Sequence, residues 1–213
     1  MRYRSTDIAG VVVIEPVVYA DARGHFLETF HAEKYAAAGI PSHFVQDNQS
    51  LSVRNVLRGL HLQLRKPQGK LVRVAVGEIW DVAVDVRPES PTFGRWVGDV
   101  LSAGNSRQLY IPPGCAHGFC VVSDHALVEY KCTELYDPED EIGIAFDDPA
   151  LSITWPVREP LLSHKDRRNI RWSDFVAGLS GVRDRGGSSI ASDRHDTGRP
   201  PDPRFRRPLS PKA

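Results

Sequence analysis

Apolar and polar side chains alternate in short runs along most of this chain, and glycine or proline closes nearly every run. A period of two sends successive side chains to opposite faces, so such runs predict half-buried strands. They fall at residues 11–14, 71–86, 96–101, 108–111, 118–122 and 126–133. Helical spacing is rare. Residues 32–38 read as a short helix stopped by Gly39 and Pro41, and residues 163–175 as the start of another. Many short strands, few helices and no internal repeat predict a mainly-β fold, a sandwich or a jelly-roll barrel.

The stretch from Leu71 to Val86 carries the strongest signal. Two alternating runs meet at Gly77-Glu78, which reads as a two-residue hairpin loop. That register sets Val76 opposite Ile79, Val74 opposite Asp81, Val72 opposite Ala83 and Lys70 opposite Asp85. One face then carries Lys70, Asp81 and Asp85 among small aliphatics. The other carries Leu71, Ala75, Trp80, Val82 and Val84, with Arg73 among them. The second face is the better core, and the first is either the wall of a pocket or a solvent face.

Composition narrows the setting. The 213 residues suffice for one large domain or two small ones. Lysine and arginine together number 27, as do aspartate and glutamate, so the formal net charge is zero. That balance counts against binding of a nucleic acid polymer but leaves room for a local basic pocket. Cys115, Cys120 and Cys132 are odd in number and fit neither a zinc nor a disulfide spacing, which points to a reducing, cytoplasmic compartment. The N-terminus lacks the apolar stretch of a signal peptide and no apolar run is long enough to cross a bilayer, so no membrane partner is expected. Beyond Gly181 the chain turns rich in Arg, Gly, Ser and Pro with few large apolar residues, and residues 181–213 read as a disordered tail.

The candidate chemistry lies in Arg58-Gly59-Leu60-His61-Leu62-Gln63, followed closely by Gln68-Gly69-Lys70. It puts a titratable base and an ammonium within one or two strands of each other. Proton abstraction next to a carbonyl uses such a pair: the base takes a carbon-bound proton and the cation stabilises the enolate oxygen. Alternation places Leu57, Gly59, His61 and Gln63 on one strand face and Arg58 on the other, unless Gly59 marks a bulge.

These motifs stand in an ordered series. Residues 21–30 (Asp-Ala-Arg-Gly-His-Phe-Leu-Glu-Thr-Phe) are followed by Gln46-Asp47-Asn48-Gln49-Ser50, by the His61 and Lys70 segments, and by Ser90-Pro91-Thr92-Phe93-Gly94. Ile111-Pro112-Pro113-Gly114-Cys115-Ala116-His117-Gly118-Phe119, Glu129-Tyr130-Lys131-Cys132-Thr133, Asp147-Asp148-Pro149 and Leu162-Ser163-His164-Lys165-Asp166 complete it. The series, from about Val11 to Asp166, closely resembles the dTDP-4-dehydrorhamnose 3,5-epimerases, enzymes of the cupin superfamily. The resemblance implies a cupin-type jelly-roll domain over residues 1–180. It implies a dTDP-4-keto-6-deoxy-D-glucose substrate inverted at C3 and C5, and a homodimer in which N-terminal strands add to the partner's sheet.

It also implies roles. His61 matches the general base, Asp166 the carboxylate that orients it, Lys70 the cation near the C4 oxygen, and Tyr130 the acid that protonates the opposite face of the ring. Arg23, Phe26, Glu28, Gln46, Asn48, Arg58, His117, Glu141 and Lys165 match positions that hold the nucleotide part. Guanidinium groups suit a diphosphate, amides and carboxylates suit a base edge and ribose hydroxyls, and Phe26 suits stacking. Ser163 and Asp166 also read, without the resemblance, as a helix cap with an acidic residue in the first turn. Metal-binding cupins show His-x-His where this chain has His61-Leu62-Gln63, so no metal is expected, and proton transfer alone needs no cofactor. A C3-only or C5-only epimerase shares the same residue set. A non-catalytic sugar-nucleotide-binding cupin and a metal-dependent cupin are the readings from other classes.

Overall fold

The computed structural model describes residues 1–185. In chain order the strands are β1 (Arg2–Ser5), β2 (Val12–Glu15), β3 (Val18–Asp21), β4 (Gly24–Leu27), β5 (Gln46–Val53), β6 (Leu57–Gln63), β7 (Lys70–Val76), β8 (Glu78–Asp85), β9 (Trp96–Ser102), β10 (Gln108–Ile111), β11 (Cys115–Val121), β12 (His125–Cys132) and β13 (Glu141–Gly143). Helix α1 covers Ala32–Ala37, a single 3₁₀ turn covers Asp166–Arg168, and helix α2 covers Trp172–Arg185. A six-stranded sheet in the order β1-β2-β10-β7-β12-β5 faces a five-stranded sheet in the order β13-β6-β11-β8-β9, while β3 and β4 pair only with each other. This is the mainly-β jelly roll expected from the strand pattern.

The two sheets enclose one apolar core. Val13, Val72, Val74, Leu109, Ile111 and Val128 from the larger sheet meet Ile79, Ala83, Leu101, Phe119 and Val121 from the smaller. Burying a side chain of this size stabilises the fold by about 1.5–3 kcal/mol, so this cluster fixes how the sheets face each other. Leu60, Leu62, Val82, Val84 and Ala116 turn to the outer face of the smaller sheet, where Phe175 of α2 and the rings of Trp155 and Trp172 cover them. Helix α1 covers the outer face of the larger sheet by setting Tyr35 against Ile14, Leu71 and Tyr110.

Residues 71–86 do not form a hairpin. β7 pairs with β10 and β12, whereas β8 pairs with β9 and β11 in the other sheet. The chain crosses between sheets at Gly77, whose φ is +80° and where a Cβ would lie 2.0 Å from the His125 carbonyl oxygen. Both runs are needed in two different walls, and a one-residue corner serves where a hairpin loop would keep them in one sheet. The grouping of the side chains into two faces survives the change of pairing, but the face expected to be a pocket wall or a solvent face supplies the core between the sheets. Val72, Val74, Ile79 and Ala83 point into the space between the sheets, while Trp80, Val82 and Val84 point out of it.

The helix expected over 163–175 is divided. The 3₁₀ turn ends at Arg168, Ile170 bridges to Ile144, and α2 begins only at Trp172, whose N–H donates to Asp148. Helix α2 runs to Arg185, beyond the boundary at residue 180. The rest of the tail, residues 186–213, lies outside the described residues.

Candidate active site

Two adjoining cavities of about 340 and 260 Å³ open between the sheets, and His61, Lys70, Tyr130 and Lys165 line both. His61 stands on β6 in the smaller sheet. Lys70 and Tyr130 stand on β7 and β12 in the larger one. A ligand in this space therefore has a base on one wall and a cation and a phenol on the other.

Arg58 and His61 both line the inner cavity, and the strand is not regular between them. His61 pairs with His117 and Arg58 with Phe119, so residues 59 and 60 lie opposite the single residue Gly118. Two residues against one is a bulge, and it re-aims the side chain that follows. Gly59 carries it with φ +125°; a Cβ there would meet the Gly118 Cα at 2.5 Å. The parity conflict in the sequence is resolved at the glycine that raised it.

Asp166 is buried behind the imidazole, with Oδ1 2.6 Å from His61 Nε2. Its Oδ2 accepts from the Ser163 hydroxyl at 2.6 Å, and Ser163 Oγ in turn accepts from the Asp166 N–H at 3.0 Å. Burial works to raise the Asp166 pKa. Hydrogen bonds from His61 and Ser163, the His61 charge and the Gly59 N–H outweigh it, and the net shift is downward. An ionised carboxylate only accepts, so Nε2 carries the proton and Nδ1 is left as the basic atom. Nδ1 lies 3.7 Å from Glu141 Oε1.

Burial pulls the Lys70 ammonium below the ordinary lysine range, partly offset by Cys132, Glu141 and Asp81. Burial pushes the Tyr130 phenol up, with Cys132 adding to it and Arg58 opposing it, so the hydroxyl keeps its proton at neutral pH. Glu141 is drawn down against its own burial by hydrogen bonds from Lys165 and from the Tyr136 hydroxyl.

Gln46, Asn48, Glu141 and Lys165 line the outer cavity; Arg58 and His117 line the inner one. His117 is buried and donates from Nε2 to Asp81 Oδ1 at 2.6 Å. Arg23, Phe26 and Glu28 are not brought to the cavity within this chain. They lie on or just after the β3–β4 hairpin, where Arg23 pairs with Asp21 and Glu28 with Lys34, and Phe26 is 70% exposed. The structure adds residues that the sequence reading left out: Ser163 as partner of Asp166, Tyr136 as partner of Glu141, Asp81 behind His117, and Gln68 and Ser50 in the walls. Asp81 stands fully buried on β8, and Tyr136 carries no periodic signal. Among the described residues, no three His, Cys, Asp or Glu side chains converge to hold a metal ion.

The family model for dTDP-4-dehydrorhamnose 3,5-epimerase matches residues 5–174. A dTDP-4-dehydrorhamnose 3,5-epimerase of Methanothermobacter thermautotrophicus is 54% identical over 169 residues, covering 78% of this chain and 91% of the relative. One from Pseudomonas aeruginosa is 52% identical over 176 residues, covering 82% and 97%. The crystal structure of a Legionella pneumophila dTDP-6-deoxy-D-glucose-3,5-epimerase in complex with dTDP-4-keto-L-rhamnose superposes with a TM-score of 0.79 at 49% identity, covering 84% of this chain and 96% of that one.

Proposed function

The chain belongs to the dTDP-4-dehydrorhamnose 3,5-epimerase family, and on that premise we propose that it converts dTDP-4-keto-6-deoxy-D-glucose to dTDP-4-keto-L-rhamnose. The observation that carries the reading is the division of His61 from Lys70 and Tyr130 between two walls of one cavity. A ketone acidifies the carbons on either side of it. His61 Nδ1 removes a proton from such a carbon, and Asp166 stabilises the imidazolium that results. The charge moves to the C4 oxygen, where the Lys70 ammonium stabilises the enolate. Tyr130 then donates a proton to the carbon from the opposite side, which inverts it. Before the second inversion the imidazolium releases its proton to water and the phenolate takes one from water, so both groups are reset. Binding falls to Gln46, Asn48, Arg58, His117, Glu141 and Lys165, with the guanidinium and ammonium groups meeting the diphosphate.

The same reading assigns Arg23, Phe26 and Glu28 to the cavity of a second subunit in a homodimer. β5 is an edge of the larger sheet, its inner side chains Gln46 and Asn48 line the cavity, and Leu51 on it is 65% exposed. A hairpin from a partner laid along this edge would bring those three residues to the cavity mouth and cover the apolar edge. A cytoplasmic setting accords with three buried free cysteines and with the absence of any described helix long and apolar enough to cross a membrane.

The test is turnover of dTDP-4-keto-6-deoxy-D-glucose in deuterated water with product analysis after ketone reduction. Label at both C3 and C5 in an L-rhamnose product supports the reading. Label at one carbon replaces it with a mono-epimerase, and no exchange at either carbon leaves a binding protein.

A further inference from the structure

Asn169 sits behind the cavity wall, one residue past the 3₁₀ turn that begins with Asp166. Its Nδ2 donates to the Gly59 carbonyl at 3.0 Å and reaches the Ile144 carbonyl at 3.4 Å. The carbonyl of the bulge glycine is thus held by the short segment that carries Asp166. Asn169 is itself fixed: its N–H donates to the Asp166 carbonyl at 3.3 Å, and its Oδ1 lies where a Cβ on Gly143 would come within 1.9 Å.

Glycine permits the bulge but does not choose its conformation, because no side chain limits its backbone. On the β11 side the irregular ladder at residues 59 and 60 withdraws the regular restraint as well, while Leu60 keeps its paired backbone bonds to Ile144 on the other side. His61 follows two residues later, and its distance to Asp166 depends on how that peptide is set. We infer that Asn169 is a positioning residue for the base: by clamping the Gly59 peptide to the turn that carries Asp166, it fixes the aim of the His61 imidazole. This rests on the reading of His61 as the base.

Asn169→Ala and Asn169→Asp test it. The aspartate keeps the shape and removes both N–H donors. Each variant is expected to lose about 10- to 100-fold in kcat with KM within about threefold, as befits a reacting group displaced by a fraction of an ångström to about 1 Å. In an Asp166→Asn background, Asn169→Ala is expected to cost little more, since both act through one arrangement. A readout independent of turnover is the imidazole N–H proton resonance of the His61–Asp166 pair, identified by its loss in His61→Asn. In Asn169→Ala it should shift or broaden, while the resonance of the His117–Asp81 pair, also 2.6 Å long, stays in place. The inference is overturned if Asn169→Asp keeps the wild-type kcat, if the losses of Asn169→Ala and Asp166→Asn multiply, or if both resonances are unmoved. A wild-type protein that fails to turn over the keto sugar refutes the proposed function instead, and the resonances still decide the role of Asn169.

Discussion

Arg58 and His61 stand three positions apart on one strand and open into the same cavity. A regular strand would send them to opposite faces. The slip at residues 59 and 60 brings the Arg58 guanidinium to the cavity that the His61 imidazole lines, and it depends on a glycine that nothing larger can replace. Gly59→Ala is expected to destabilise the fold by at least about 2 kcal/mol, from a positive φ and a backbone clash together. Denaturant unfolding checks this; an unchanged midpoint would show that the ladder can be rebuilt without the bulge.

The His61–Asp166 pair predicts a large and specific loss. His61→Ala is expected to lower kcat by about 100- to 10,000-fold, and Asp166→Asn by about 100-fold, with little change in affinity for dTDP. Steady-state kinetics and calorimetry with dTDP separate the two effects. A His61→Ala protein with wild-type turnover would remove the base from its role.

Lys70 sets the alkaline limb. Its pKa is lowered by burial, so the catalytic ammonium is lost at a pH below that of a lysine in water. Tyr130 is shifted the other way and keeps its proton through that window. The kcat profile should therefore fall on the alkaline side earlier than a free lysine would allow. Lys70→Arg should move that fall upward at a lower plateau. If the limb does not move, another group controls it.

Asp85 predicts acid sensitivity of the fold rather than of the chemistry. Burial works to raise its pKa, but hydrogen bonds from Arg87, Ser90 and Thr92 outweigh it and hold the carboxylate far below its ordinary value. A depressed carboxylate contributes stability above its unfolded pKa of about 4, and that contribution is lost as pH falls through the folded value. Asp85→Ala is expected to cost about 3 kcal/mol at pH 7, with the gap to wild type narrowing below about pH 4. Thermal unfolding across pH 3 to 7 measures the gap, and a constant gap would contradict the linkage.

The β3–β4 hairpin predicts a concentration-dependent site. Arg23→Ala and Phe26→Ala are expected to raise KM about 10-fold and leave kcat within about threefold, as the proposed contact with the nucleotide and not the sugar ring requires. Light scattering should find a dimer. A monomer with full activity would leave these residues without a function.

Strand existence and face were legible in the sequence because period-two alternation reports directly on burial, as at residues 72–84. Pairing was not, since which strand lies beside β7 is decided by contacts distant in sequence. The residues that line the cavity were legible through their ordered motifs. Their second partners were less so: Ser163 reads as a helix cap, and its Oγ does accept from the Asp166 N–H, but its hydroxyl also donates to the carboxylate that meets His61. Arg23, Phe26 and Glu28 could be matched but not located, because the β3–β4 hairpin holds them away from the cavity of their own chain.

The apolar layer between the sheets also works as a spacer. His61 hangs from one sheet and Tyr130 from the other, so the span a sugar ring must bridge is set by the thickness of Val72, Ile79, Val121, Val128 and their neighbours. Trimming one of these side chains changes the gauge of the site without altering any residue that touches the ligand.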